Sequence, residues 1–191
     1  MKRMFALALI LGLSSAANAQ EVNLSTVALS IATQDVHTMN LINWKVGETA
    51  DYSISVMQGM LTGTSHKFAD KEDNNGSAIW IEEDVSLMGQ QQTVRMLINR
   101  ADGKTLKLVQ NGQDAAIPTD APVISSQDYA SITVAAGTFK CIHVKGTEQG
   151  KAFEIWANPV DTVMDGAVKT VMDTGMMGNM EMDLTAFHKV Q

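Results

Sequence analysis

Methionine is dense near the end of this 191-residue chain. Four methionines fall within seven residues, namely Met176, Met177, Met180 and Met182, with Met164 and Met172 before them and His188 after them. Thioether sulfur is a soft ligand that suits Cu(I), so this segment is a candidate copper site. The alternative is that Met180 and Met182 lie with Leu184 on the inward face of the last strand, where methionine fills irregular gaps. In a strand Met177 points away from Met176, which favours the second interpretation.

Cys141 and His143 are the residue types of a thiolate nucleophile and its base. On a strand, residues two apart share a face but are poorly placed for direct contact. No orienting acid is evident in the sequence beside them. We therefore interpret the pair as a buried thiol next to a surface histidine, and we predict no catalytic residues and no enzymatic activity.

Residues 70–82 resemble a calcium-binding loop. When Gly76 is placed at the required turn glycine, Asp73, Asn75 and Glu82 fall at ligand positions. Lys71 then occupies the first position, where an oxygen ligand is needed. We therefore expect a solvated hairpin turn, no metal site and no cofactor.

Glu82, Glu83 and Asp84 offer paired carboxylates for acid–base chemistry. Alternation along a strand puts Glu83 on the apolar face, between Ile81 and Val85. Either a bulge shifts the register there or the carboxylate lies at the rim of the sheet. A charged edge that deters aggregation is the simpler interpretation.

Trp80 and Trp156 fall opposite the apolar faces of their strands. Exposed tryptophans on a sheet can bind sugars or partner proteins. Alternatively, both rings pack beneath the loop over residues 111–122. A protein-interaction module of the cell envelope is therefore kept as one functional alternative.

Composition limits the class of protein that can hold these residues. The chain is 45% apolar and 18% charged, has one cysteine and carries a net charge of −7. These values exclude a disordered tail, an intramolecular disulfide framework and a general nucleic-acid binder. The length predicts one domain whose core is large enough to fold without disulfides.

The beginning of the chain predicts a secretory signal peptide. Lys2 and Arg3 are followed by an apolar run over residues 4–13 and by an A-x-A cleavage site at Ala17-Asn18-Ala19. The apolar run is shorter than the ~20 residues that span a bilayer. We predict a signal peptide over residues 1–19 and a single β-rich domain over residues 20–191, exported to a bacterial periplasm without a transmembrane segment.

From Tyr52 onwards apolar and polar residues alternate with a period of two, which predicts an antiparallel sheet covered on one face. Turn dipeptides separate the predicted strands. They stand at Asn74-Asn75-Gly76, Asp102-Gly103, Asn111-Gly112, Ala136-Gly137 and Gln149-Gly150. Longer loops are expected over residues 111–122 and 158–166.

Apolar residues at spacings of three and four over residues 22–36, among them Val27 and Ile31, predict one helix ahead of the strands. The apolar face of a long sheet needs a cover, and this helix can supply it. We therefore expect a mainly β (α+β) fold, in which an N-terminal helix covers a curved antiparallel sheet, or half-barrel meander.

Three stretches resemble a known group of proteins. Trp44-Lys45-Val46-Gly47-Glu48 leads into the first strand, and residues 133–141 (TVAAGTFKC) resemble a "V-x-A-G-T-F-x-C" hairpin. Ile155-Trp156-Ala157, followed by residues 166–169, resembles the ending of the same group. These stretches are similar to small exported bacterial proteins of unknown function related to the LolA/LolB-like lipoprotein-localisation half-barrel. The resemblance implies a carrier of acyl chains or another envelope protein, and it carries no catalytic residues across.

Together these patterns predict a non-catalytic periplasmic protein that binds a lipid or another apolar small molecule between sheet and helix. The candidate lining residues share the apolar face of the predicted strands. They are Ile54, Val56, Ile79, Ile81, Val94, Met96, Ile98, Leu106, Leu108, Phe153, Ile155, Met180 and Met182. A carrier and a packed scaffold predict the same residues. The alternatives are copper binding by the C-terminal methionine cluster and binding of an envelope protein.

Overall fold

A computed structural model describes residues 43–117 and 122–191, most of which lie in one antiparallel sheet. Its strands are β1 (Thr49–Val56), β2 (Leu61–Asp73), β3 (Ala78–Leu87), β4 (Gln90–Asn99), β5 (Thr105–Gln110), β6 (Gln113–Ala115), β7 (Val123–Val134), β8 (Gly137–Glu148), β9 (Lys151–Ala157), β10 (Ala167–Asp173) and β11 (Asn179–His188). The spatial order is β6-β5-β4-β3-β2-β1-β11-β10-β9-β8-β7. Two meanders are thus joined at the centre, where β1 pairs with β11.

The alternating pattern of the sequence becomes the two faces of this sheet. Tyr52, Ile54 and Val56 are buried on β1, and the polar residues between them are more exposed. Four of the five predicted turns fall between strands, and the fifth, Ala136-Gly137, joins β7 to β8, with Gly137 as the first residue of β8. The loop expected over residues 111–122 is wrong in part, because β6 lies within it, and residues 118–121 are outside the described residues.

The prediction of a helix-covered sheet is wrong for the described part of the chain. The described residues are almost entirely antiparallel β-structure, and the 3₁₀ turn Asn74–Gly76 is the helical element among them. Residues 22–36, where the sequence predicts a helix, lie outside the described residues. In the described residues the loop over residues 158–166, between β9 and β10, covers part of the inner face.

The sheet curves so that the β7–β8 hairpin reaches β11, although β8, β9 and β10 separate β7 from β11 in the sheet. At the tip of the hairpin, the backbone N–H of Ala136 donates to the carbonyl oxygen of Leu184 over 3.2 Å. The Phe139 and Phe187 rings meet edge to face, with their centroids 6.2 Å apart. The stretch that resembles the "V-x-A-G-T-F-x-C" hairpin therefore closes one side of the curve.

The two aromatic residues of this hairpin give a matched test of the closure. Phe139→Ala should reduce the free energy of unfolding by about 3 kcal/mol, because a buried ring and its edge-to-face contact are lost. Tyr129→Ala should change it by less than about 0.5 kcal/mol, because Tyr129 is 84% exposed. Urea denaturation measures both values. Equal effects of the two substitutions would contradict the closure of the hairpin on β11.

Candidate functional site

The side chains predicted to line the apolar face lie together on the inner face of the sheet, with one exception. Those that are buried are Ile54, Val56, Ile79, Ile81, Met96, Ile98, Leu108, Phe153, Ile155 and Met182. Val94 and Met180 are partly buried and pack against the same core. The strands therefore bring nearly all of the predicted residues into one continuous apolar surface.

Leu106 is the exception, because it is 46% exposed. The β4–β5 pairing matches Leu97 with Lys107 and Ile98 with Thr105, so the register shifts at Leu106. A bulge of this kind leaves one extra residue unpaired and redirects its side chain. The placement of Leu106 on the apolar face is therefore wrong.

A buried ion pair joins the β9–β10 loop to the middle of the inner face. Lys67 Nζ on β2 lies 2.8 Å from Asp165 Oδ2 in the loop, and the two side chains are 4% and 5% exposed. Burial alone lowers the pKa of Lys67, but the charge and hydrogen bond of Asp165, together with Tyr52 and Glu83, outweigh this effect and raise the pKa. Lys67 is therefore held in its charged form, and the loop is tied to the sheet.

More polar groups of the inner face surround this ion pair. Ser65 Oγ donates to Glu83 Oε1 over 2.7 Å, and Tyr52 OH donates to the carbonyl oxygen of Ala167 over 3.1 Å. Lys67 Nζ also lies 5.5 Å from the centroid of the Tyr52 ring. Burial is the main reason that the pKa of Tyr52 is raised, so its phenol stays neutral. The interpretation of Glu83 as part of a bulge, rim or charged edge is wrong, because β3 is an inner strand and this carboxylate is buried.

Next to the ion pair is a small cavity with a free volume of about 10 Å³. It is lined by Trp44, Lys67, Ile81, Met96, Ile98, Met164 and Asp165. A volume of this size is about what one water molecule needs. Among the described residues, Trp44 and the loop residue Met164 therefore cover this part of the inner face.

A larger recess lies on the outer face of β1 to β4. This outer groove has a volume of about 570 Å³. Its polar walls include Asp51, His66, Asp84, Thr93 and Thr185. His66 Nδ1 lies 2.6 Å from Asp51 Oδ1, and Thr93 Oγ1 donates to Asp84 Oδ1 over 2.5 Å. Cross-strand hydrogen bonds thus fix the walls of the groove before anything binds.

Both tryptophans singled out by the sequence lie on the outer face, opposite the apolar residues of their strands. Trp80 Nε1 donates to Asp73 Oδ2 over 3.0 Å, and the Arg95 guanidinium lies 5.1 Å from the Trp80 ring centroid. Trp156 stacks on His143, with ring centroids 4.3 Å apart. Each ring is therefore engaged by charged or polar neighbours of its own sheet.

Cys141 is fully buried, and burial, aided by the charge of Asp161, raises the pKa of its thiol to about 11. His143 instead faces two carboxylates, since its Nδ1 lies 3.0 Å from Asp128 Oδ1 and its Nε2 lies 3.2 Å from Glu154 Oε2. Cys141 is indeed a buried thiol, but His143 is also largely buried rather than on the surface.

The C-terminal methionines do not form one site. Met182 and Met172 are buried in the core, and Met180 packs against it. Met176 is exposed on the β10–β11 turn, and His188 ends β11 at the far end of the sheet. The placement of Met180 and Met182 on the inward face of the last strand is thereby confirmed, and the segment does not gather its sulfur atoms at one point.

The predicted calcium-like loop is a hairpin turn. Asp73 Oδ1 accepts a hydrogen bond from the backbone N–H of Asn74, and Asp73 Oδ2 accepts one from Trp80. Within residues 43–117 and 122–191, no group of three or more His, Cys, Asp or Glu side chains is suited to hold a metal ion. The Asp73 carboxylate therefore hydrogen-bonds within the turn and to Trp80 on the adjacent strand.

Glu148, at the end of β8, is a buried acid that the sequence analysis missed. Its side chain is 3% exposed, and its Oε2 has no hydrogen-bond partner among the described residues. Burial raises the pKa of Glu148 to about 6.

Lys67 and Asp165 were also missed in the sequence analysis. The position of Lys67 could have been predicted, because it is two residues from both Ser65 and Ala69 and therefore lies on the same inner face of β2.

The chain has no match among protein-family models or curated proteins. Among solved structures, a Bacteroides fragilis protein proposed to be exported, with a YmcC-like fold, gives a TM-score of 0.44 at 12% identity, covering 78% of this chain and 98% of its own. A Parabacteroides distasonis protein proposed to be a lipoprotein gives a TM-score of 0.44 at 13% identity, and the match covers 80% of this chain and 100% of that chain. A chain of the MucA/MucB complex of Pseudomonas aeruginosa gives a TM-score of 0.45 at 13% identity, and the match covers 84% of this chain and 54% of that chain. All three TM-scores are below 0.5.

Removing one partner of the buried ion pair should lower the free energy of unfolding strongly, whereas replacing both partners by apolar residues should not. Asp165→Asn leaves the Lys67 ammonium buried without its counter-charge and should lower the free energy of unfolding by about 3–5 kcal/mol. The double variant Lys67→Met with Asp165→Leu keeps the volume apolar and should come within about 1 kcal/mol of wild type. Urea denaturation at pH 7 compares them. A double variant as unstable as Asp165→Asn would contradict this account of the pair.

Glu148 should make stability depend on pH. Because its pKa is about 6 in the fold and 4.5 ordinarily, its contribution to stability is present below pH 4.5 and is lost as pH rises through 6. Glu148→Gln should therefore be more stable than wild type at pH 8, by roughly 2 kcal/mol, and no more stable at pH 4. Thermal unfolding across this range tests it, with Asp114→Asn as the exposed control. A difference that is independent of pH would contradict the prediction.

Proposed function

We propose that this chain is an exported, non-catalytic binding protein of the bacterial periplasm that holds an apolar ligand against the inner face of its sheet. The signal-peptide pattern over residues 1–19 supports export. Within residues 43–117 and 122–191 no helix combines the length and apolarity needed to cross a bilayer. The resemblance to half-barrel carriers of acyl chains supports the same class of ligand.

One observation carries the choice of site: the β9–β10 loop lies over the apolar inner face and is tied to its middle by the Lys67–Asp165 ion pair. The loop residues Val163 and Met164 belong to the same buried cluster as Ile81 and Ile98. Loop and sheet therefore form two apolar surfaces that meet, with a directional tie between them. When the loop moves away, an acyl chain can take its place against the sheet.

The small size of the cavity defines what binding requires. As the described residues line it, the cavity beneath the loop has about 10 Å³ free, which is too little for an acyl chain. In this proposal, ligand entry displaces residues 158–166. Besides the ion pair, hydrogen bonds tie the loop to neighbouring segments, from Asn158 Nδ2 to the Lys140 carbonyl oxygen over 3.1 Å and from Lys189 Nζ to the Val160 carbonyl oxygen over 2.6 Å. Ligand entry therefore has to break these contacts as well.

The state of Cys141 supports a non-catalytic role. Its raised pKa keeps the thiol protonated at neutral pH, and thiols react as thiolates. The histidine on the same strand is engaged by Asp128 and Glu154. The buried polar groups around Lys67 likewise hydrogen-bond to one another and to the backbone.

Binding is tested by native mass spectrometry of the protein purified from a periplasmic extract without detergent, followed by titration with cis-parinaric acid. We expect a co-purified mass that fragments to acyl chains, or saturable probe fluorescence. Met96→Phe narrows the space beneath the loop and should weaken probe binding by about tenfold, as expected for a loss of about 1.4 kcal/mol. Leu106→Phe, an equal change at the exposed bulge, is the matched control.

Three results would contradict the proposal: neither an acyl adduct nor probe binding, equal effects of the two substitutions, or binding unaffected when the loop is cross-linked to the sheet. The outer groove would then become the better candidate site. Its volume of about 570 Å³ and its polar walls suit a polar ligand or an envelope protein, which a pull-down from the same extract would detect.

A further inference from the structure

Exposed methionines occupy three neighbouring turns at one end of the sheet. Met57 and Met60 lie in the β1–β2 turn, Met88 in the β3–β4 turn and Met176 in the β10–β11 turn. All four are exposed, with Met60 at 78% and Met176 at 93%. We call these four residues the methionine rim.

The strand register brings these turns side by side. At the end of β1, Val56 lies opposite Leu61 of β2 and Met180 of β11, so the β1–β2 turn lies beside the start of β11. Leu87, just before the β3–β4 turn, lies opposite Gly63 of β2. Since β3, β2, β1, β11 and β10 are consecutive in the sheet, residues far apart in sequence converge at this end.

The backbone at two of these positions does not favour methionine. Met57 and Met88 have φ values of 52° and 53°, in the left-handed region that Asn, Asp and Gly adopt most readily. Other hairpins place Asn111 (φ 49°) before Gly112 and Gln149 (φ 50°) before Gly150, as Met88 (φ 53°) stands before Gly89. The same turn geometry is thus built with asparagine in one hairpin, with glutamine in a second and with an exposed methionine in the third.

Turn formation therefore does not explain the methionines of the rim, and neither does packing. Their side chains face solvent, whereas Met172 and Met182 fill the core as methionine ordinarily does. What distinguishes methionine from asparagine at such a position is its thioether sulfur. Residues that depart from local preference without a gain in packing are expected at functional sites.

We propose that the methionine rim binds a soft monovalent cation, Cu(I), through thioether sulfurs supplied by at least two of the three turns. Thioether ligands select Cu(I) over the harder divalent cations. Met57 and Met60 supply two sulfurs from one turn, and the Met60 N–H bonds to the Met57 carbonyl oxygen over 3.3 Å, which keeps these residues close. Met88 and Met176 flank them on either side. This site differs from the C-terminal methionine segment, because it takes only Met176 from it.

The test uses Ag(I), an air-stable probe for soft thioether sites, in chloride-free buffer with the full chain labelled with ¹³C-methyl methionine. Isothermal titration should show one Ag(I) per chain, and NMR should show shifts of the rim methyl groups but not of Met172 and Met182. Competition with a Cu(I)–bicinchoninate complex under reducing conditions should give the same stoichiometry. Zn²⁺ should cause no shift.

Variants separate sulfur chemistry from apolar contact. Replacing all four rim methionines by leucine keeps an apolar surface and should weaken Ag(I) binding by more than about tenfold. The matched control, Met172→Leu with Met182→Leu, removes two thioethers from the core and should leave binding unchanged. Met88→Asn should form its turn at least as well as wild type while weakening binding. No Ag(I) binding by the wild type, equal binding by the four-leucine variant, or loss of binding in the core control would overturn the proposal.

Discussion

The buried ion pair between Lys67 and Asp165 fixes how the sheet is covered. Apolar contacts of Val163 and Met164 with the inner face are non-directional and would tolerate several loop positions. A buried ammonium requires one counter-charge within hydrogen-bond distance, because a buried charge without a partner costs several kcal/mol. The pair therefore selects one placement of the β9–β10 loop across a sequence separation of 98 residues. Through that loop it also sets the size of the cavity beneath it.

Ion pairs, rather than apolar contacts, connect the strands on the outer face of the sheet. There, cross-strand ion pairs link Arg95 to Asp70 and Glu82, and Lys169 to Glu181 and Asp183. Such partly exposed pairs contribute little stability individually, but they hold side chains in fixed positions. A shift of one residue in the strand register would turn these charged side chains toward the core. The apolar and charged faces together therefore favour one register.

The period-two pattern made most of the inner face predictable, because side-chain direction on a strand depends only on local backbone geometry. Ile79 and Met96 follow this rule. Leu106 does not, because a bulge depends on how β5 pairs with β4 and is not encoded in β5 alone. The partner of Lys67 was likewise beyond reach, since Asp165 meets it only after two meanders join at β1 and β11. Glu83 was placed correctly by alternation and then misread, because a buried carboxylate is uncommon unless it is hydrogen-bonded, here by Ser65.

Methionine in this chain serves two environments that the sequence alone could not separate. In the core, Met172 and Met182 alternate with outward-facing residues and respond to packing, for which leucine is nearly equivalent. In the turns, a fold needs only a left-handed backbone, and Asn111 meets that need with a residue better suited to it. The side chain of Met88 is exposed, so core packing does not determine its identity. Turn positions of this kind are where a scaffold can gain a binding site without any cost to its core.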